Sequence, residues 1–263
     1  MFWIFFIIFF IIKSNQSYNK NEANACVLLS AQAYCNKEKY ETMTPVQNFQ
    51  MKTVLYDKST DMEGYIGTIN RKIYIVFRGS SSVLNWIEDI DVIKTKYPYC
   101  DECYVHEGFY KTVLHLKNAT INSIAEIKKQ TIDKIIVTGH SYGAAVATLM
   151  AMELGDLGKS IDIEIYNYGQ PRIGNEPFAK YVNAKYPKYW RFTHDKDIVP
   201  HVPPINMDYY HSCGEIFEKN GTLTTCSQEM CEDDTCSLQY PSRKTNVDDH
   251  LYYLGTYMDC YQE

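Results

Sequence analysis

The stretch from 133 to 154, DKIIVTGHSYGAAVATLMAMEL, constrains the fold more than any other part of this chain. Its apolar, β-branched start at Ile135–Val137 predicts a buried strand, and the helix formers of Ala144–Leu154 predict a buried helix. Gly139 and Gly143 frame a sharp turn that allows strand and helix to approach closely. A serine in such a turn is typical of a nucleophile elbow, although it also fits an ordinary strand-to-helix turn. Ser141 is therefore the candidate nucleophile.

Strands and helices alternate along the chain. Apolar β-branched runs or alternating patterns predict strands at Val54–Tyr56, Tyr65–Asn70, Lys72–Phe77, Asp162–Tyr168 and Tyr189–Thr193. Helical spacing predicts helices at Asn21–Tyr34, Gly108–Lys129 and Asn175–Tyr186. This alternation predicts an α/β fold with a mostly parallel central sheet and helices on both faces. Ligands of such sheets bind beyond the carboxyl ends of the strands, where Ser141 lies.

The first residues of the chain read as a targeting segment. Phe2–Ile12 is uninterruptedly apolar but shorter than the roughly 20 residues that cross a bilayer, which favours a secretory signal peptide over a membrane span. We expect a signal at residues 1–17, cleaved after Ser17 or near Ala23–Ala25, and a single domain over residues 18–263. The expected mature protein is secreted and has no integral membrane span. A net charge of −6 argues against a nucleic-acid partner.

The cysteines also indicate an oxidising compartment. All nine follow the apolar segment, which favours disulfides, and the odd count leaves at least one thiol free or paired with another chain. Cys100 and Cys103 form a C-x-x-C pattern that would otherwise fit a redox motif or half of a zinc site. Asn118 and Asn220 begin possible glycosylation sequons, which agree with secretion.

A nucleophilic serine needs an imidazole to accept its proton and a carboxylate to orient that imidazole. In α/β-hydrolases these follow the serine in the order acid, then histidine. His250 and His201 are the leading bases, the first in a C-terminal loop and the second in a proline-flanked loop. Asp195 and Asp197 are the acids near the end of the last predicted strand. Chain order alone does not choose between the members of either pair.

Six sequence blocks are informative together. They are IYIVFRGSSSVLNWIEDI from 73 to 90, VHEGF from 105, VTGHSYGAA from 137, GQPRIGN from 169, DIVPHVPP from 197 and DHLYYLG from 249. In sequence and in order they resemble the fungal-type class 3 triacylglycerol lipases, and the resemblance covers about Cys26–Cys260. The resemblance implies an α/β-hydrolase fold with a short helical lid.

The resemblance also implies roles for individual residues. Ser141 matches the nucleophile, Asp197 the acid and His250 the base, so the family selects among the alternatives above. Ser80 matches the oxyanion-hole residue, and the backbone N–H of Tyr142 would be the second donor. These five positions make up the expected catalytic machinery.

Two further expectations concern the surroundings of this machinery. Asp89 looks like the acid that holds the oxyanion serine in place. Tyr142 stands where the family often has leucine, and Ala144 replaces a common glycine. A backbone donor survives the change at 142, but a phenol at this position would narrow the acyl groove or form a hydrogen bond within it.

Residues 81–91 match the lid of the family. Their apolar side chains recur at helical spacing and are Val83, Leu84, Trp86, Ile87 and Ile90. From the spacing alone, a short amphipathic core helix is the favoured interpretation, and only the resemblance selects a lid. Moving three or four such groups into water costs about 1.5–3 kcal/mol each, so a closed state should dominate in solution. At an oil–water interface the same groups would enter lipid, with Trp86 leading.

The family pattern implies a disulfide between Cys26 and Cys260, which would join the two ends of the domain. It further implies the pairs Cys226–Cys236 and Cys100–Cys103. Pairing of Cys213 with Cys231 is a guess, and Cys35 stays unassigned.

The function implied by the resemblance is hydrolysis of acylglycerol esters through an acyl-enzyme, at an oil–water interface and without metal or organic cofactor. A phospholipase A1 or a feruloyl-type esterase would use the same scaffold. A non-catalytic lipid-binding protein that kept the fold is a third alternative, which the complete triad disfavours.

Overall fold

An eight-stranded mixed sheet organises the chain, in the order β1-β2-β3-β6-β7-β8-β9-β10. The computed structural model describes residues 17–36, 45–156 and 162–260. Strands β3, β6, β7, β8 and β9 run parallel, whereas β1, β2 and β10 pair antiparallel at the two edges. The strands of this sheet are β1 Gln50–Asp57, β2 Met62–Ile69, β3 Lys72–Phe77, β6 Lys134–His140, β7 Asp162–Tyr168, β8 Tyr189–His194, β9 Glu215–Lys219 and β10 Thr222–Thr225. The parallel centre confirms the predicted α/β-hydrolase architecture.

The helices and the remaining strands surround this sheet. The helices are α1 Lys20–Gln32, α2 Val83–Glu88, α3 Glu107–Ile127, α4 Tyr142–Asp156 and α5 Glu176–Lys185. Two small hairpins pair β4 Lys94–Lys96 with β5 Tyr104–His106, and β11 Tyr252–Tyr253 with β12 Thr256–Tyr257. Short 3-10 turns span Val199–His201, Ile205–Met207, Ser237–Gln239, Ser242–Lys244 and Asp248–Leu251. None of the helices described here is long and apolar enough to cross a membrane.

Alternate residues of the central strands face opposite sides of the sheet and build two separate cores. On β6, Ile135 and Val137 belong to the cluster formed with α3, α4 and α5, whereas Ile136 belongs to the cluster formed with α1. Full burial of each such side chain contributes about 1.5–3 kcal/mol. Helices therefore cover both faces of the sheet, as the alternation of elements predicts.

One hairpin escapes the sequence-based prediction. The last quarter of the chain reads as loop, yet β9 and β10 add two strands to the sheet edge. The turn between them contains Asn220 and Gly221, both with positive φ. Asn-Gly is the strongest short-range signal for a two-residue hairpin turn. The β9–β10 hairpin is therefore predictable from the sequence.

The disulfide predicted between Cys26 and Cys260 is wrong. Cys260 pairs with Cys35, and Cys26 is a free, fully buried thiol. Cys26 lies within α1 and faces the sheet, whereas Cys35 follows the end of that helix, where the chain can turn toward Cys260. The structure also contains the disulfides Cys100–Cys103, Cys213–Cys231 and Cys226–Cys236.

The predicted signal peptide falls almost entirely on residues 1–16, which lie outside the described residues. Both glycosylation sequons remain predictions. Asn118 is exposed on α3, and Asn220 is exposed at the tip of the β9–β10 hairpin.

Replacing Cys35 by alanine should lower the free energy of unfolding by about 2–5 kcal/mol, because loss of a long-range cross-link increases the freedom of the unfolded chain. Urea titration of the purified protein measures this change. Cys26→Ala is the control, since it removes a buried thiol but no cross-link, and it should have a much smaller effect. Equal losses in the two variants, or more than one reactive thiol in the denatured wild type, would contradict the pairing.

Candidate active site

Ser141 occupies a sharp turn between the end of β6 and the start of α4. Its φ of +57° lies in the left-handed region, which non-glycine residues seldom adopt. The turn is fixed on both sides, because the Ser141 N–H donates to the Tyr168 carbonyl at 3.0 Å and the Ala144 N–H donates to the Ser141 carbonyl at 2.9 Å. This strained backbone at the end of a parallel strand is the geometry expected of a nucleophile elbow.

The two glycines of the turn are required by close backbone contacts. A β-carbon on Gly139 would lie 2.5 Å from the carbonyl carbon of Gly143. A β-carbon on Gly143 would lie 2.7 Å from the carbonyl carbon of Arg78, which follows β3. The helix can therefore begin directly above the strand ends only because both positions lack side chains.

His250 and Asp197 form a buried pair next to this turn. His250 Nδ1 and Asp197 Oδ2 are 2.9 Å apart, and the two side chains are 0% and 1% exposed. Asp197 follows β8, and His250 lies in the 3-10 turn near the C-terminus. The alternatives that chain order left open, Asp195 and His201, do not form such a pair. The imidazole of His201 is buried, with no hydrogen bond to its Nε2 among the described residues.

Two further groups fix the Asp197 carboxylate. Oδ1 accepts a hydrogen bond from the Val199 N–H at 2.8 Å, and Oδ2 accepts one from the Tyr253 hydroxyl. Burial, together with the negative charge of Asp197, raises the pKa of Tyr253 well above its usual value, so its hydroxyl stays protonated and acts as a donor. Since a carboxylate only accepts, the proton shared with His250 lies on Nδ1, and the Nε2 lone pair is left free.

Ser141 Oγ and His250 Nε2 lie in the same region, beyond the carboxyl end of β7. The Ser141 N–H binds the Tyr168 carbonyl, and a β-carbon on the next residue, Gly169, would lie 2.6 Å from the His250 ring. Both Ser141 Oγ and His250 Nε2 are buried, and neither has a hydrogen-bond partner in the described part of the chain. The hydrogen bond between Ser141 Oγ and His250 Nε2 is therefore not formed in this structure. Such catalytic hydrogen bonds are often long until substrate binds.

The loop after β3 lies beside the serine. A β-carbon on Gly79 would lie 3.0 Å from Ser141 Cβ, and Ser80 follows immediately. Arg78 fixes the start of this loop through ion pairs with Asp61 at 3.3 Å and Glu63 at 3.2 Å. The backbone therefore brings the loop that carries Ser80 close to Ser141, and the role of Ser80 as an oxyanion donor stays a prediction.

Asp89 does not occupy the position expected of it. It caps the C-terminus of α2, where its backbone N–H donates to the Asn85 carbonyl, and its side chain is exposed. No hydrogen bond joins Asp89 to Ser80 in this structure. The expectation that Asp89 holds Ser80 in place is not met while α2 is in its present position.

Helix α2 is shorter than the predicted segment from 81 to 91, and it packs beside Tyr142, the residue after Ser141. The half-buried Trp86 packs against the rings of Tyr142 and Phe109, with centroids 6.1 and 6.2 Å away. Leu84, on the other side of the helix, is 57% exposed. Ser141 itself is 0% exposed, and the role of α2 as a lid stays a prediction.

Tyr142 has its hydroxyl group directed at α3. The phenol oxygen lies 2.8 Å from Thr112 Oγ1 and donates to the Gly108 carbonyl at 3.1 Å. Its ring meets Phe109 edge to face, with centroids 4.9 Å apart. The phenol thus forms its hydrogen bonds with the start of α3, while its ring supports Trp86.

Metal-binding geometry occurs at one place among the described residues. Glu215, Cys226 and Cys236 lie close enough to share an ion. The two cysteines form a disulfide, so they offer no thiolates, and the group lies away from Ser141.

The sequence model of the class 3 lipases matches residues 74–207, just over half of the chain. The chain is 31% identical to a lipase of Rhizomucor miehei, over 93% of this chain and 71% of that protein. This chain belongs to the class 3 lipase family. It is also 36% identical to the secreted mono- and diacylglycerol lipase A of Penicillium cyclopium, over 69% of this chain and 62% of that protein.

A solved structure shares the fold along most of the chain. It is a triacylglycerol lipase whose catalytic centre is a triad of the serine-protease type. It superposes with a TM-score of 0.83 and 31% identity, and covers 91% of this chain and 96% of its own. The α/β-hydrolase fold of this lipase-family chain follows directly.

Replacing Gly143 by alanine should lower the free energy of unfolding by about 1–3 kcal/mol, because the new methyl group would overlap the backbone after β3. Urea denaturation measures the loss. Gly221→Ala is the control: it has a positive φ of 71° but open space around it, and tests dihedral strain without overlap. A Gly143 variant as stable as the wild type would show that strand and helix are not closely packed at this turn.

Proposed function

We propose that this protein is a secreted lipase that hydrolyses the carboxylic esters of acylglycerols at an oil–water interface. The observation that carries the proposal is the buried Asp197–His250 pair beside the strained turn of Ser141. An ionised carboxylate, an imidazole with a free Nε2 and a serine hydroxyl are the three groups that acyl transfer to serine requires. Family membership supports this reading.

In the proposed reaction, His250 Nε2 takes the proton of Ser141 Oγ as the oxygen attacks the ester carbonyl. Asp197 stabilises the resulting imidazolium and keeps the ring in the required tautomer. Ser80 and the Tyr142 N–H bind the developing oxyanion, and each such donor contributes about 2.7–4 kcal/mol in comparable sites. His250 then protonates the leaving alcohol. Water repeats the sequence on the acyl-enzyme and releases the fatty acid.

Helix α2 would act as the lid of this site. In water the closed state is favoured because Trp86 packs against Tyr142 and Phe109. At a lipid surface Trp86 and the exposed Leu84 would contact acyl chains instead, so opening no longer exposes apolar area to water. The open state then gains population through its differential contact with lipid.

The apolar side chains of α2 also support a choice of substrate class. An apolar lid favours a lipid ester over a water-soluble feruloyl ester, because only a lipid surface compensates for exposing it. Secretion is supported by the four disulfides, by the predicted signal at residues 1–17 and by the relatives' names.

Ser141→Ala should abolish ester hydrolysis, because it removes the nucleophile and leaves the elbow backbone unchanged. A fluorophosphonate probe should label the wild type and fail to label this variant, with intact-mass analysis as the readout. Ser237→Ala, at another buried serine, is the matched control and should be labelled normally. An unlabelled wild type would favour a non-catalytic lipid-binding protein, and more than a few per cent residual activity in Ser141→Ala would refute the assignment.

The wild type should hydrolyse emulsified triacylglycerols faster than phospholipid vesicles or soluble feruloyl esters, since the lid opens on a neutral lipid surface. Initial rates on matched ester concentrations measure this preference. Faster cleavage of phospholipid would identify a phospholipase A1, and faster cleavage of the feruloyl ester would identify a feruloyl-type esterase.

Trp86→Ala should raise the rate on a short-chain triacylglycerol below its solubility limit and flatten the increase above that limit. The variant loses burial worth about 1.5–3 kcal/mol in the closed state, together with an apolar contact to lipid. Rates measured across the solubility limit test this. Leu114→Ala removes an exposed leucine from α3 and should behave as the wild type. An unchanged profile in Trp86→Ala would remove α2 from the activation step.

A further inference from the structure

His140, the residue immediately before Ser141, is fully buried between Tyr34 and His250. Its Nδ1 lies 2.6 Å from the hydroxyl of Tyr34, which follows α1. Its Nε2 lies 2.9 Å from the backbone carbonyl of His250. The rings of His140 and His250 also face each other, with centroids 4.3 Å apart. His140 therefore contacts both the backbone carbonyl and the imidazole ring of His250.

The protonation of His140 follows from these partners. Burial, and next the nearby His250, hold the pKa of His140 well below its usual value, so the ring is neutral. A carbonyl oxygen only accepts hydrogen bonds, so the single ring proton lies on Nε2. Nδ1 then carries a lone pair, and the Tyr34 hydroxyl must donate to it. Burial raises the pKa of Tyr34 well above its usual value, which keeps that hydroxyl protonated.

The Tyr34 hydroxyl also lies against the loop after β3, beside Gly79, the residue before Ser80. A β-carbon on Gly79 would overlap the Tyr34 hydroxyl, so the two groups are in direct contact. Hydrogen bonds thus run in one direction, from Tyr34 through His140 to the His250 carbonyl. This chain connects the elbow and the base, and its Tyr34 end contacts the oxyanion loop at Gly79.

Tyr34 is itself held in place by its neighbour in sequence. Cys35 forms the disulfide with Cys260, nine residues beyond the 3-10 turn that ends at Leu251. The other charged or titratable groups near this hydrogen-bond chain are Tyr253, whose ring lies 5.7 Å from that of His140, and Arg78 and Asp259, whose charges act on Tyr34.

We propose that Tyr34 and His140 are positioning residues for the base, an inference that rests on the proposed lipase function. The Tyr34 hydroxyl selects the His140 tautomer that donates to the His250 carbonyl, and this bond fixes the backbone from which the catalytic imidazole projects. Burial keeps His140 neutral beside a ring that must become positively charged during each acyl transfer. In the other tautomer, the Nε2 lone pair would face the His250 carbonyl, and two acceptors would repel each other.

The first test is Tyr34→Phe, which removes one oxygen atom from a residue that does not touch substrate. On a soluble short-chain ester, we expect kcat to fall about tenfold, which corresponds to about 1.4 kcal/mol, with KM unchanged. Tyr186→Phe is the matched control, because its hydroxyl donates to the Ala151 carbonyl at 2.5 Å, away from Ser141. The control should lose stability but keep its kcat.

A tautomer measurement on the wild type keeps the proposal testable even if Tyr34→Phe does not fold. The protein labelled with nitrogen-15 histidine should show His140 as the neutral Nε2–H tautomer at pH 7, assigned by comparison with a His140 variant. In folded Tyr34→Phe, a mixture of tautomers should appear.

Each outcome has a distinct meaning. An Nδ1–H tautomer or a charged His140 in the wild type would overturn the proposal, and so would a kcat of Tyr34→Phe equal to that of Tyr186→Phe. A loss that appears in KM alone would place Tyr34 in substrate binding and overturn it as well. Failure of the wild type to react with a fluorophosphonate would reject the lipase function itself, which the His140 spectrum does not address.

Discussion

The buried hydrogen bond between Asp197 and His250 is the interaction on which the rest of the site depends. A carboxylate that is 1% exposed is stable only when its lone pairs are satisfied, and here the Val199 N–H, the Tyr253 hydroxyl and His250 Nδ1 satisfy them. Removal of one partner would leave a buried charge without compensation. The pair therefore forces the loop after β8 and the C-terminal segment to meet at one edge of the sheet.

The fold brings these segments to the same edge through its parallel centre. Strands β3, β6, β7 and β8 end side by side, so the loops that follow them meet above the sheet. The C-terminal segment, which carries His250, does not follow one of these parallel strands. It is fixed by its own hydrogen bonds, such as that from the Leu254 N–H to Glu218, and by the disulfide between Cys260 and Cys35. Stability and catalytic geometry thus depend on the same contacts.

Local sequence patterns predicted the features of the site that depend on neighbouring residues. The run of Ile135–Val137, the two glycines and the alanine-rich helix identify the elbow, because backbone strain and close approach require those residue types. The pairing of Cys35, the hydroxyl of Tyr253 on Asp197 and the contact of Tyr34 with His140 depend on segments more than 50 positions apart. No periodicity encodes such contacts, and chain order alone could not separate Asp195 from Asp197 or His201 from His250.

The most direct measurement is a crystal structure of the mature protein after reaction with an alkyl phosphonate ester, whose phosphorus mimics the tetrahedral carbon of acyl transfer. The phosphorus should be bonded to Ser141 Oγ, with one oxygen near Ser80 and the Tyr142 N–H and with His250 Nε2 facing the leaving-group side. Attachment to another residue, or a His250 ring separated from both the adduct and Asp197, would contradict the convergence of these side chains into one catalytic centre.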